Sequence, residues 1–561
     1  MHETEQEDEA TTLVLGAHPE LDERLGPLHQ FRSQAGMFGF VFTIQIVLLL
    51  VAASTNLNAM NPDGIVYLRL AHYYAEGNFA LAITGYWGPL LSWLMVPLIK
   101  LKVDPSVTAR AAMLVSAVVF QIGAMRIYDV MLQRRTDFLL ASLITVAFTI
   151  FWSIVVITPD LLMSGLLLVG ISHTLSRDAA ARRSDFWAGL FYGLAYFAKS
   201  VALPIAIALI IILHALRFLA GDRPARAGIN AAIRTFLALM VTASPWILIL
   251  SYHYGFPTFS TSALISYAIV GPSELASLHP FVRSFNAPDY GRVTSWEEPE
   301  LGLYQLWSPF ESAAAFKHQL RLIWQNLLEI IRTLRRYDLF GIGLSTTVLG
   351  FIFAQGRLRY EKWRFSAPAI AAMTGVYLLV FADDPRNYIG CYPLLLSASF
   401  GFVRDLSERF GCDSGRRAWS IQASTLATIL VAGSFVVTIA PEMKIGLQGS
   451  TPPNPYDLAQ HLAASLKGSP DAPLASVGPP NNIGFLTALY TAYLTSRAYY
   501  GNRLDDPSLE QLPSNRPLVL VLIPGTPLDK RLQEIRSAHI LPLPSEASGG
   551  EEIRIYLLGT Q

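Results

Sequence analysis

The chain has 561 residues, 52% of them hydrophobic and only 15% charged, with a mean hydropathy of +0.38. That balance is too apolar for a water-soluble globule, and a bilayer is its expected solvent. Lys plus Arg equals Asp plus Glu at 42 each, leaving no net field to draw nucleic acid or an acidic partner, and two cysteines, Cys391 and Cys412, are too few for a disulfide framework.

A polar tail, 1–36, opens with Glu3, Glu5, Glu7, Asp8 and Glu9 and carries no cleavable signal, so the first apolar run behind it is expected to stay as a helix. One crossing takes roughly 20 apolar residues. About eleven spans are read, at 37–56, 106–126, 138–157, 160–176, 185–199, 200–219, 235–252, 339–355, 366–381, 387–403 and 419–440. The stretch 184–218 would run ~50 Å as one helix at about 1.5 Å per residue. It is split at Lys199-Ser200, because a lysine at the bilayer centre costs roughly 2.5–3.5 kcal/mol.

Short loops rich in Lys and Arg stay on the cytoplasmic side. Five such loops fall on one side of this arrangement: Arg126, Arg134 and Arg135; Arg177, Arg182 and Arg183; Arg217, Arg223, Arg226 and Arg234; Arg357, Arg359, Lys362 and Arg364; Arg404, Arg409, Arg416 and Arg417. An odd number of spans then puts the C-terminus outside a plasma (inner) membrane. Trp152 and Trp246 near outer ends, and Trp187 near an inner end, fit interfacial belts.

The expected organisation is a cytoplasmic tail, a transmembrane catalytic unit over 37–440, and an extramembrane unit over 441–561. Three segments unlike lipid-facing spans fall on the outer side: the loop 57–105, the loop 253–338, and 441–561. The second is rich in Pro, Tyr and Trp and contains an amphipathic stretch near 316–336 with Lys317, Arg321, Arg332, Arg335 and Arg336. The third opens with Pro452-Pro453-Asn454-Pro455 as a linker. It then reads as helix near 456–467, strand near 473–477, helix near 484–494 and strands near 517–523 and 553–558, a small α/β domain.

Chemistry-bearing residues gather at the outer edge. Asn61-Pro62-Asp63 starts a short interfacial helix, Gly64 to Glu76, closed by Gly77, with Arg69, His72 and Glu76 on one stripe. Asp63 reads equally as an N-cap or as a general base at the membrane surface. Gly85-Tyr86-Trp87-Gly88-Pro89 leads into an apolar stretch that stops at Pro97 and Lys100, too short to span and assigned as a re-entrant or juxtamembrane helix. Tyr86 and Trp87 suit belt anchors as well as sugar stacking. In Thr158-Pro159-Asp160 the threonine reads as an N-cap, while a carboxylate such as Asp160 at the hydrocarbon edge needs a partner or water. Lys199 and the run Asp383-Asp384-Pro385-Arg386-Asn387-Tyr388 bring cations and a phenol to the same level, where snorkelling and loop solvation also account for them. His173 and His214 have no partners at metal-ligand spacing and read as structural.

In order along 37–405, Pro62-Asp63 with Tyr67, Gly85-Tyr86-Trp87, Thr158-Pro159-Asp160, the run Gly193 to Lys199, Ser244-Pro245-Trp246 and Arg386-Asn387-Tyr388 resemble the GT-C fold glycosyltransferases. The resemblance is in particular to the branch containing protein O-mannosyltransferases and the lipid A aminoarabinose transferases. The resemblance implies a sugar donor on a polyprenyl or dolichyl monophosphate and an acceptor hydroxyl on a glycan, lipid or protein. It makes Asp63 the activating carboxylate of an inverting transfer, Asp160 a second acid, and Tyr388 a neighbour of the lipid phosphate. Substrate contacts are expected from Tyr67, Arg69, His72, Tyr86, Trp87, Lys199, Arg386 and Tyr388. No cofactor is expected to be required, although a divalent metal is compatible with the chemistry.

Two positions depart from that pattern. Gly64 stands where many members carry an acid after the first-loop aspartate, and Leu81-Ala82 stand where the aminoarabinose transferases carry a cation. Arg69, Lys199 and Arg386 are therefore the candidate phosphate-binding cations. The chain has no P-loop and no Gly-x-Gly-x-x-Gly after a strand, which favours a sugar arriving on lipid. Two other readings stay open: a lipid or sugar transporter or flippase, against which stands the lack of a visible repeat, and a GT-C-like assembly factor without activity.

Overall fold

The computed structural model describes residues 19–176, 181–222, 224–272, 278–354, 358, 361–410, 417–449, 454–469, 471–513, 517–535, 538–541 and 553–559. The acidic opening of the tail, Arg177, Arg223, Arg357, Arg359, Cys412, Arg416, Pro452 and Pro453 lie outside the described residues, as do the side chains of Arg182, Arg409 and Arg417.

Every predicted span carries helix: Pro19–Thr55, Pro105–Met131, Arg135–Val155, Asp160–Leu175, Ala181–Ala198, Ala202–Leu219, Ala225–Tyr254, Ile342–Ile352, Ser366–Gly375, Cys391–Phe410 and Arg417–Gln448. Among the described residues six are long and apolar enough to cross a membrane: Gly36–Thr55, Pro105–Met131, Arg135–Val155, Ala202–Leu219, Ala225–Tyr254 and Ser424–Gln448. The chain is an integral membrane protein. The other helices are shorter or more polar. Asp160–Leu175 shows why length alone does not find such a helix: all of it except His173 is buried in protein, so its surroundings are side chains rather than 30 Å of lipid. Small residues permit that packing, since a Cβ on Gly123 would stand 2.4 Å from the Gly165 carbonyl oxygen.

The long apolar stretch breaks at the lysine, one helix ending at Ala198 and the next starting at Ala202. Pro62–Glu76 forms the first-loop helix, and Gly77 closes it at φ 77°. The helix Pro89–Lys100 ends at Lys100, where the sequence places its stop, and carries Pro97 inside it. The turn after Lys100 has Lys102 at φ 58°. Trp152 and Trp246 are buried, not in a lipid belt. Trp152 packs on Phe148 and Phe151, and Trp246 on Trp93. Trp187 remains exposed.

The C-terminal domain is a five-stranded sheet in the order β2-β1-β3-β5-β4, with β1 Leu474–Val477, β2 Tyr499–Arg503, β3 Leu518–Leu522, β4 Ala538–Leu541 and β5 Arg554–Leu558. Strand β1 lies parallel to β2 and β3, and β5 runs antiparallel to β3 and β4. The central strand β3 is fully buried, as its continuous apolar run requires. Helices Pro455–Ser465 and Ile483–Thr495 match the predicted ones, while β2, β4 and the helix Pro527–Gln533 carry too weak an alternation to be read from sequence.

The three segments predicted for the outer side meet on one face. Asn58 Nδ2 donates to Asp457 Oδ1 (2.7 Å) and the Tyr490 hydroxyl to the Met60 carbonyl (3.0 Å). The large loop joins the sheet edge, where the Tyr499 amide donates to the Val293 carbonyl (2.7 Å) and that of Asn286 to Tyr500 (2.6 Å).

Candidate active site

Asn61, not Asp63, caps the first-loop helix. The Asn61 Oδ1 accepts the Ile157 amide at 2.8 Å, tying this helix start to the Thr158-Pro159-Asp160 turn. A Cβ on Gly64 would stand 2.8 Å from Ile157 Cβ. An acidic side chain there would push the two turns apart, which accounts physically for the departure at Gly64.

Released from capping, Asp63 turns its Oδ2 to Arg386 Nη1 at 2.9 Å. Arg386 is held from its other side by Asp384, with Nη2 to Oδ2 at 2.6 Å. Burial disfavours the Arg386 cation, but the carboxylates of Asp63, Asp384 and Asp160 outweigh that and hold it charged. Asp160 opens its helix, and the residue before it, Pro159, is the cap instead of Thr158. Its side chain is only 2% exposed and pairs with Lys199 Nζ at 2.7 Å. Lys199 sits in the helix break and also donates to Asn387 Oδ1 at 3.3 Å. Two ion pairs, Asp63–Arg386 and Asp160–Lys199, are thus joined through the adjacent residues Arg386 and Asn387.

Both pairs line one cavity of ≈ 330 Å³. One wall is aromatic. Trp87 stands edge-on to Tyr67 at 5.2 Å and to Trp296 at 5.3 Å, and its Nε1 donates to the Trp296 carbonyl at 2.9 Å. Gly85 fixes this wall to the large loop, its amide donating to the Tyr254 hydroxyl (2.7 Å) and its carbonyl accepting the Thr261 amide (2.9 Å). Another side is apolar, formed by Val201, Pro204, Phe259, Val376, Val380 and Phe381. Three lining groups, Trp296 Nε1, the Tyr377 hydroxyl and Asn387 Nδ2, are buried with no hydrogen-bond partner. Buried donors without acceptors are costly, and these three belong to residues that line the cavity.

Of the residues singled out in the sequence, Asp63, Asp160, Tyr67, Tyr86, Trp87, Lys199 and Arg386 line this cavity. Arg69, His72 and Tyr388 do not. Arg69 lies over the Tyr73 ring at 4.7 Å and donates to Ser496 Oγ at 3.3 Å, and His72 packs edge-on against Tyr493, so both serve the junction with the C-terminal domain. Tyr388 is fully buried and donates to the Ala382 carbonyl at 2.9 Å, bracing the turn that presents Arg386. At Leu81, where a cation was missing, Arg292 from the large loop donates to the carbonyl at 3.2 Å and pairs with Glu298 at 2.7 Å. Trp296, His279, Tyr377, Asp384 and Asn387 were not singled out as site residues, because only tertiary folding brings the large loop and the 376–387 turn to Asp63. Burial and nearby Arg283 lower the His279 pKa to about 4. Among the described residues no group of three or more His, Cys, Asp or Glu side chains is placed to hold a metal ion.

No family model and no curated protein matches the sequence. In structure the chain is similar to ArnT from Cupriavidus metallidurans bound to undecaprenyl phosphate, with a TM-score of 0.54 at 14% identity over 93% of this chain and 98% of that one. The apo state of that protein gives 0.52 at 14% identity, over 94% and 98%. The fold is that of the GT-C glycosyltransferases. An oligosaccharyltransferase from Archaeoglobus fulgidus gives 0.48 at 11% identity, over 82% of this chain and 64% of that one. In this chain the cavity lies where the first loop, the large loop and the 376–387 turn converge.

Proposed function

We propose that the protein is a membrane glycosyltransferase that moves a sugar from a polyprenyl monophosphate to an acceptor hydroxyl outside the inner membrane. The observation that carries this is the pairing of two carboxylates with two cations in a single cavity that has an aromatic wall and an apolar one. Undecaprenyl phosphate bound to ArnT supports a prenyl-phosphate partner. The apolar side suits a prenyl chain entering from the bilayer, and the aromatic wall suits the faces of sugar rings.

Arg386 and Lys199 take the donor phosphate as charge-assisted donors, and Tyr377 and Asn387 supply hydrogen bonds that the protein leaves unmade. A phosphate bound to Arg386 competes with Asp63 for the guanidinium and frees that carboxylate. Asp63 then accepts the acceptor's hydroxyl proton while its oxygen bonds to the anomeric carbon. The bond from that carbon to the phosphate oxygen breaks, and prenyl phosphate leaves with the electron pair. In-line attack inverts the anomeric centre. Asp160, held by Lys199, keeps that cation in place. The five basic loops on one side support a C-terminus outside. The test is to incubate purified protein with a panel of prenyl-phosphate sugars and follow free prenyl phosphate. Release with at least one donor is expected, and no release with any overturns the proposal.

A further inference from the structure

The helix Ala313–Arg335 is capped by Ser312, whose Oγ accepts the Ala315 amide at 3.1 Å. Around its axis, at about 100° per residue, it presents three stripes. The first packs on the protein through Gln319, Asn326, Ile330 and Thr333. Its anchor is Asn326, whose Nδ2 donates to the carbonyls of Tyr377, Leu378 and Val380 at 3.2, 3.1 and 2.7 Å. The second stripe is apolar and open, with Phe316, Leu320 and Trp324 at 49%, 53% and 60% exposure, continued by Leu327 and Ile331. The third, on the far side of the apolar stripe from the protein, is basic: Lys317, Arg321, Arg332 and Arg335, followed by Arg336. Against these five cations the helix holds one carboxylate, Glu329, paired with Arg332. Among the described residues none of the other four is held in an ion pair.

A basic stripe beside an open apolar stripe is the pattern of a helix lying in a membrane surface, apolar side chains in the acyl boundary and cations among headgroups. The position agrees. Asn326 grips the turn after the helix Ser366–Gly375, and the helix's own end leads through Leu339–Gly341 into Ile342–Ile352. It therefore lies across the ends of two helices that the sequence reads as spans. We infer that this helix binds the headgroups of anionic bilayer phospholipids in the leaflet it faces. The inference holds whatever reaction the cavity performs. Because Asn326 holds the turn carrying Tyr377 and Val380, which line the cavity, lipid bound here also steadies that wall.

The test is a lipid titration of detergent-purified full-length protein, following the thermal midpoint. Phosphatidylglycerol is expected to raise the midpoint more than phosphatidylcholine does. The variant Lys317→Gln, Arg321→Gln, Arg335→Gln, Arg336→Gln should need more phosphatidylglycerol for the same rise, roughly fivefold more per cation removed. Arg321→Lys, Arg335→Lys, Arg336→Lys together should keep the wild-type response. Salt gives an arm on the wild type alone: at 1 M, where screening acts over about 3 Å, the preference for phosphatidylglycerol should collapse. Equal rises with both lipids, an unchanged response in the glutamine variant, or a preference indifferent to salt would each overturn the inference.

Discussion

Arg386 sits between Asp63 and Asp384, and Lys199 between Asp160 and Asn387, so both cations are already partnered within the protein. In the proposed reaction an incoming phosphate exchanges for those partners, so losing a cation should affect the lipid donor more than the acceptor. Arg386→Gln is expected to raise the KM for the donor with little change in the KM for the acceptor, measured in steady-state assays varying each in turn. Lys199→Gln costs stability as well, because it strands a carboxylate that is 2% exposed. Tyr377→Phe separates binding from folding. Its hydroxyl has no protein partner, so the thermal midpoint should not fall, while donor affinity should drop by the worth of a hydrogen bond to a charged group, about 1.5–3 kcal/mol. At this scale the sequence was legible where a carboxylate or cation stood at a helix edge in hydrocarbon, as for Asp160 and Lys199. It was silent where a residue type is common in loops and only its neighbours make it useful, as for Trp296 and His279. Arg69 shows the converse: its stripe was visible, yet its partner Ser496 lies 427 residues away.

Among the elements, hydropathy located the helices well, because an apolar run of that length has few other uses. It located their surroundings less well. Trp152 and Trp246 have the placing of belt residues, but aromatic neighbours bury them. The large loop was readable only as a composition. Its fold rests on Trp296, stacked on Phe281 at 4.5 Å, and on His279, whose Nδ1 lies 3.0 Å from the Tyr304 hydroxyl. Since the His279 pKa falls from 6.5 to about 4 in the folded protein, the unfolded chain binds the proton more tightly. The stability tied to neutral His279 is complete above about pH 6.5 and is lost as pH falls toward 4, by up to about 3 kcal/mol. Thermal midpoints taken across that window should fall for the wild type and fall less for His279→Phe. Parallel curves would contradict this role for His279.

For the molecule as a whole, the ordered motifs carried more than any single one. The GT-C arrangement was legible because Asp63, Trp87, Asp160, Lys199 and Arg386 lie at helix ends whose order the sequence preserves, and all five line one cavity. The docking of the C-terminal sheet on the large loop, through Tyr499 and Val293, left no trace, because backbone pairing at a sheet edge needs no particular side chain. Everything proposed for the reaction depends on the Asp63 carboxylate taking the acceptor's proton. The direct measurement is single-turnover transfer from a bound prenyl-phosphate sugar by the wild type and by Asp63→Asn, with donor binding and thermal midpoint recorded for both. The amide keeps the shape and loses the base, so transfer is expected to fall by about 10²–10⁴-fold while the donor still binds and the protein stays folded. Transfer by Asp63→Asn at the wild-type rate would contradict the account.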